Sequence, residues 1–152
     1  MHHQTPIRPV TILLVEDNPA DVMLTKEAFK ESKIVNTLNV AIDGEEATDY
    51  LRKLGKFKHV ETPDLVLLDL NLPKKNGLSV LAEVKSDQHL KSLPIIILST
   101  SASDDDISKT YAHHANCYIT KPTDFRQFLV VVKSIEDFWL KIAKLPKKKN
   151  RA

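Results

Sequence analysis

Short runs of Val, Ile and Leu alternate with longer amphipathic stretches five times along the chain, the pattern of repeated strand and helix units. The spacing predicts strands over 10–15, 37–42, 65–68, 95–98 and 117–120. Four of these are almost uniformly apolar. A strand that is apolar on both faces belongs in a parallel sheet covered by helices on each side, so the pattern predicts a doubly wound α/β domain.

The intervening stretches carry helix signals. Asn18 before Pro19 offers an N-cap with proline in the first turn, and Asp104, Asp105 and Asp106 place negative charge at the start of another helix. Gly44, Gly55 and Gly77 fall at element boundaries. The polar stretch 52–63 is long for a helix-to-strand link and reads as a surface loop available for contacts. A last helix over 123–144 carries Phe125, Phe128, Leu129, Val132, Ile135, Trp139 and Ile142 at three- and four-residue spacing, a stripe that faces the sheet. Val131, Phe138 and Leu140 lie off that stripe, and the helix would run about 33 Å, longer than the sheet needs. Two readings follow: a wide core face, or an overhanging apolar end that pairs with a second copy.

The length of 152 residues and the hydrophobic share of 42% suit one globular domain with a substantial core. No apolar run approaches the ~20 residues of a membrane-spanning helix, and the start Met1-His2-His3-Gln4-Thr5-Pro6 lacks the features of a secretory signal, so a cytoplasmic protein is expected. The single cysteine, Cys117, agrees with that expectation. Five of the 22 basic residues fall in the last nine positions, leaving 17 bases against 20 acids elsewhere. The positive balance therefore belongs to the tail, and the expected organisation is an arm over 1–9, a domain over 10–144 and a basic tail over 145–152. Basic and aromatic residues do not interleave along any face, which argues against a nucleic-acid footprint.

In a parallel α/β sheet ligands bind outside the carboxyl ends of the strands. Glu16 and Asp17 follow the first apolar run, Asp69 and Asn71 the third, Ser99 and Thr100 the fourth, and Lys121 the fifth. Taken singly, an Asp after a strand is commonly a helix cap and a Lys a solvated surface group. Together they bring three carboxylates, two hydroxyls and one ammonium to one edge. Crowded carboxylates repel, and a divalent cation among them relieves that repulsion. An all-oxygen donor set suits Mg²⁺ rather than Zn²⁺, and Mg²⁺ often completes its shell with phosphate. At such a phosphoryl site Lys121 can pair with one oxygen, Ser99 can donate to another, and one carboxylate is left as a nucleophile.

The segments Leu13-Leu14-Val15-Glu16-Asp17-Asn18-Pro19, Leu67-Leu68-Asp69-Leu70-Asn71-Leu72-Pro73 with Gly77, Pro94 to Ser99, and Tyr118-Ile119-Thr120-Lys121-Pro122 resemble, in order and spacing, the receiver domain of bacterial two-component response regulators. The segments 71–77, 116–121 and 135–140, with Leu145-Pro146, are similar to the single-domain regulators partnered with cyanobacterial phytochrome histidine kinases. The resemblance implies a flavodoxin-like fold with strand order 2-1-3-4-5 and a Mg²⁺-dependent phosphorylation switch rather than an enzyme acting on a metabolite. It implies Asp69 as phosphoacceptor, Asp17 as direct metal ligand, Asn71 as donor of a backbone carbonyl, Glu16 as a ligand through water, and Lys121 as phosphate partner. Ser99, thirty residues beyond Asp69 and five beyond Pro94, matches the switch hydroxyl. Thr100 then stands where it narrows access to Asp69, Tyr118 matches the aromatic switch, and Pro122 is expected to follow a cis bond. A sensor histidine kinase of the phytochrome type is the implied partner, with Ala20, Met23, Leu24 and Glu27 as exposed candidates for contacting it. The implied homodimer uses the face from the fourth strand to the last helix.

Two other classes compete. A phosphatase or phosphotransferase of the haloacid dehalogenase type also uses an Asp after an apolar strand, but has a second Asp where this chain has Asn71. A degenerate receiver serving only as a binding scaffold is opposed by the complete set of Asp17, Asp69, Ser99 and Lys121. Adjacent His113 and His114 read as surface groups, Cys117 as a small buried apolar residue, and Trp139 as core or interface.

Overall fold

The computed structural model describes residues 9–32, 34–101, 103–122 and 124–138. Five strands, β1 (Val10–Val15), β2 (Asn36–Ala41), β3 (Leu65–Leu68), β4 (Ile95–Ser99) and β5 (Cys117–Thr120), form one sheet in the order β2-β1-β3-β4-β5. All four pairings are parallel, with Leu14 opposite both Val40 and Leu67. Helices α1 (Pro19–Lys30), α2 (Gly44–Arg52), α3 (Gly77–Ser86), α4 (Asp104–Ala112) and α5 (Phe125–Ile135) connect and cover it. A short 3₁₀ turn at Gly55–Phe57 breaks up the long polar connection after α2.

The unbroken apolar runs have two destinations. Leu13, Val15, Val66, Leu68, Ile95 and Ile97 point into a core under α2 and α3. The alternate residues Ile12, Leu14, Leu65, Leu67, Ile96 and Leu98 point into a second core with Phe29 of α1 and Phe128, Val132 and Ile135 of α5. Side chains alternate across a strand, so a strand covered on both faces must be apolar at every position.

Several expectations shift by small amounts. The second strand starts and ends one residue earlier than predicted, because Ile42 is 55% exposed beyond the last β1–β2 pair. Ser99 ends β4 rather than following it, since it pairs with Thr120 and is fully buried. β5 is only half-buried, being an edge strand, and Cys117 is accordingly half-buried rather than enclosed. Burial pushes its thiol pKa up, which disfavours the reactive thiolate. The last helix starts at Phe125, capped by Asp124, and gives way to a wider turn over 136–138. Trp139, Leu140, Ile142 and the basic tail lie outside the described residues. Asn18 and Pro19 start α1 as predicted, and Asp104 to Asp106 occupy the first turn of α4 behind the cap Ser103.

At the far end from the strand exits, the amide of Val10 donates to Val35 (2.9 Å), and the Ser32 hydroxyl after α1 donates to the Glu136 carboxylate after α5 (2.5 Å). At the exit end, the loop between β3 and α3 is clipped onto α2. A Cβ on Gly44 would stand 1.8 Å from the Lys75 carbonyl oxygen, so only glycine admits this approach. The Lys75 ammonium donates to Thr48 Oγ1 (3.1 Å) and Glu83 Oε2 (2.7 Å), and Arg52 reaches Glu83 Oε1 at 2.6 Å.

The hydrogen bond from Lys75, aided by the charges of Lys75 and Arg52, outweighs burial and holds the Glu83 carboxyl below the usual carboxylate range. A depressed folded-state pKa contributes stability above the unfolded value, and the contribution is lost as pH falls through the folded value. Glu83→Gln should therefore weaken the protein near neutral pH but leave the variant and the wild type equally stable in acid. Urea unfolding across that pH range checks this; a difference that persists undiminished in acid would refute it.

Candidate functional site

Parallel strands all release the chain at one rim, where backbone and side chains are free to meet a ligand. Leaving β1, Glu16 is buried and Asp17 exposed; leaving β3, Asp69 is 7% exposed. Leaving β5, Lys121 reaches back across the rim. Its ammonium bonds the carboxylate of Glu16 and lies 2.9 Å from Asp21 Oδ2 and 3.4 Å from Asp69 Oδ2.

Burial works against the charge on Lys121, but hydrogen bonds to Glu16 and Asp21 and the charges of Asp69 and Glu16 outweigh it, so its pKa is raised. Burial pushes Glu16 up to about 7; the Lys121 hydrogen bond opposes this and the charge of Asp69 adds to it. The amide of Asn18 donates to Glu16 Oε2 (3.2 Å) and that of Asn71 to Asp69 Oδ1 (3.2 Å), which orients both carboxylates.

Carboxylate oxygens of Glu16, Asp17 and Asp69 lie within 4.8 Å of one another. Three acids, Glu16, Asp21 and Asp69, surround the Lys121 ammonium and Asp17 stands beside two of them, which leaves more acids than cations in a partly buried setting. An oxygen-only donor set with spare negative charge fits a hard divalent cation, and the residues present are suited to hold one. The structure thus brings together Glu16, Asp17, Asp69 and Lys121, as the strand ends predict.

Ser99 stands on the same rim but is turned to a different task. Its hydroxyl oxygen accepts from the Ser101 amide (3.3 Å), and its carbonyl accepts from the Lys121 amide (2.7 Å). Thr100 is exposed. Tyr118 is half-buried; its hydroxyl donates to the Ser101 carbonyl (2.8 Å) and its amide to the Tyr111 hydroxyl (3.1 Å). The Ser101 hydroxyl donates in turn to Asp106 (2.6 Å), so Ser101 joins the hydroxyl, the aromatic ring and the start of α4. That helix buries only Thr110.

One expectation is corrected. No peptide bond among the described residues is cis, so Lys121–Pro122 is trans. The trans form is the lower in energy by about 0.5–1 kcal/mol for a bond before proline, and from it Lys121 already reaches its three acids. His113 and His114 are both exposed. Ala20, Met23 and Glu27 are exposed along α1, with Leu24 half-buried.

Asp21 and Ser101 are absent from the sequence-based set. Asp21 reads as an ordinary first-turn acid, and Ser101 as one of several loop serines; neither has a spacing signal that would single it out.

The response regulator receiver domain family matches residues 12–133. Response regulator Rcp1 of Synechocystis sp. is 44% identical over 138 residues, covering 91% of this chain and 94% of that protein. The fold is similar to the crystal structure of the phosphorylated cyanobacterial phytochrome response regulator RcpA, with a TM-score of 0.88, 49% identity, and coverage of 92% of this chain and 100% of the other. It is also similar to the Mn²⁺-bound form of Rcp1, with a TM-score of 0.86, 43% identity, and coverage of 91% and 100%.

Proposed function

The chain belongs to the response regulator receiver family, and on that premise we propose that a sensor histidine kinase of the phytochrome type phosphorylates it on Asp69 in a Mg²⁺-dependent reaction in the cytoplasm. The observation that carries this reading is the convergence of Glu16, Asp17 and Asp69 on one cation-sized space beside Lys121. Relatives that are phytochrome response regulators support the choice of kinase.

In the transfer an Asp69 oxygen forms a bond to phosphorus while the phosphorus–nitrogen bond of a phosphohistidine breaks; the leaving imidazole keeps that electron pair and takes up a proton. The incoming phosphoryl group brings negative charge to a rim already rich in it. Asp17, Asp69 and the Asn71 carbonyl, with Glu16 acting through water, would hold a Mg²⁺, which would supply charge neutralisation there. Lys121 contributes an ammonium that exchanges a carboxylate partner for a phosphoryl oxygen. Asn71 holds Asp69 in place through its amide. Loss of the phosphoryl group to water at the same site resets the switch.

The readout follows the hydrogen bonds. The Ser99 hydroxyl oxygen accepts from the Ser101 amide and can donate its own O–H to the phosphoryl group, so it links that group to Ser101, which also anchors the Tyr118 hydroxyl and Asp106. Turning of Ser99 toward the phosphoryl group therefore draws on Ser101, and through it on Tyr118 and the lightly held α4, a shift of population between two arrangements of that surface. Thr100, exposed just after β4, is the residue assigned to narrowing access to Asp69.

The test is the mass of the intact protein after incubation with Mg²⁺ and a small acyl phosphate, with and without chelator. One phosphoryl group that appears only with the metal is expected. No modification under any condition would leave a receiver-shaped binding module.

The exposed apolar residues Tyr111, Val130 and Phe138, on α4 and along and just after α5, support self-association through the face from β4 to α5. Sedimentation should show a dimer; a monomer at high concentration, with and without a phosphoryl mimic, would rule that out.

A further inference from the structure

We propose that Asp21 is a positioning residue for the phosphoryl transfer, acting through Lys121 by competing with Asp69 for its ammonium; the inference rests on the function proposed above. The Lys121 side chain is 6% exposed and Asp21 28%, and Nζ sits nearer to Asp21 (2.9 Å) than to Asp69 (3.4 Å).

The reach of Asp21 is fixed from its own backbone. Asn18 accepts from the amides of Ala20 and Asp21, and the Asp21 carbonyl accepts from the Thr25 hydroxyl (2.7 Å), so the first turn of α1 is tied on both sides. An acid in a first helical turn is favoured by the helix dipole alone, and solvent would serve it equally well. This carboxylate instead turns inward, onto the one cation of the site. The Lys121 amide is in turn held by Ser99, so Nζ can change partners only by movement of its side chain.

An ammonium has three donors, and here three carboxylates share them. To take a phosphoryl oxygen, Nζ must release one. Asp69 carries the phosphoryl group itself, and of the other two Glu16, 3% exposed, keeps only the Asn18 amide without Lys121, whereas Asp21, 28% exposed, can be taken up by water. Asp21 is therefore the partner released, and breaking its bond to Lys121 is part of the cost of phosphorylation. Its negative charge also opposes an incoming phosphoryl group. In the resting state the residue holds Lys121 in reserve.

The test compares phosphorylation rates of the full chain by a small acyl phosphate at saturating Mg²⁺. Asp21→Asn should accept the phosphoryl group roughly three- to tenfold faster, the range expected for one partly exposed charge removed from beside the reacting groups. Asp21→Glu, which keeps the charge, should return towards the wild-type rate, and the difference between Asn and wild type should shrink at high ionic strength. A residue that only supports α1 would give a slower, salt-independent reaction on substitution. An Asp21→Asn rate equal to or below wild type overturns the inference while the proposed function stands; a wild type that takes no phosphoryl group overturns the function itself. Asp21→Ser serves as a second neutral variant should Asn alter the helix start, and the same acceleration is required of it.

Discussion

Asp69→Asn should take up no phosphoryl group from a small acyl phosphate, with or without Mg²⁺, and should still fold. Asn has the same shape but offers an amide where the carboxylate oxygen attacks, so the loss is of the nucleophile and not of packing. The substitution also removes one of three carboxylates that lie within 4.8 Å of each other, while Lys121 keeps Glu16 and Asp21 as partners. Less like-charge repulsion remains, so the midpoint of urea unfolding should equal or exceed that of the wild type at an unchanged slope. Affinity for the cation should fall with the lost ligand. Intact-protein mass spectrometry decides the matter. A stable phosphoryl group on another carboxylate of the variant would show that Asp69 is not the acceptor.

Gly77→Ala is expected to damage both fold and site. Alanine inside a helix ordinarily gains on glycine by about 0.5–1 kcal/mol. Here an added Cβ would stand 2.1 Å from the Asp69 carbonyl oxygen and 2.6 Å from Leu70 Cα. Those are backbone atoms, held by the hydrogen bond from the Gly77 amide to the Leu70 carbonyl, and they cannot rotate away. Overpacking of this kind costs about 1–3 kcal/mol, which exceeds the propensity gain. Relief requires displacing the segment that carries Asp69 and orients it through Asn71, so phosphorylation should slow as stability drops. A variant of wild-type stability and rate would show that the β3–α3 loop yields freely.

The doubly wound architecture was legible because strands covered on both faces must be apolar throughout, and β1, β3 and β4 are buried on both. The edge strands carry a weaker signal: β2 is half-polar, and each of its ends falls one residue before the predicted bound. Glu16, Asp17, Asp69 and Lys121 could be found because each follows a strand, where the topology itself delivers a side chain to the rim. Asp21 could not, because its role depends on how far Lys121 reaches across from β5, a distance of 100 residues in sequence. Ser101 was hidden for a similar reason, since its backbone rather than its side chain holds Ser99 and Tyr118. The trans bond before Pro122 departs from the family-based expectation, and the local sequence permits either form.

The tie between Ser32 and Glu136, with Val10 bonded to Val35 beside it, puts the start of β1 and the end of α5 together at the end of the sheet away from Asp69. A strand of six residues separates that end from the acidic rim, about 20 Å. The domain is therefore built to be handled from behind. A fluorescent reporter, a surface anchor or a second module grafted ahead of β1 or after α5 would leave the phosphoacceptor open to its donor, and the same geometry makes the domain a portable input unit for engineered circuits.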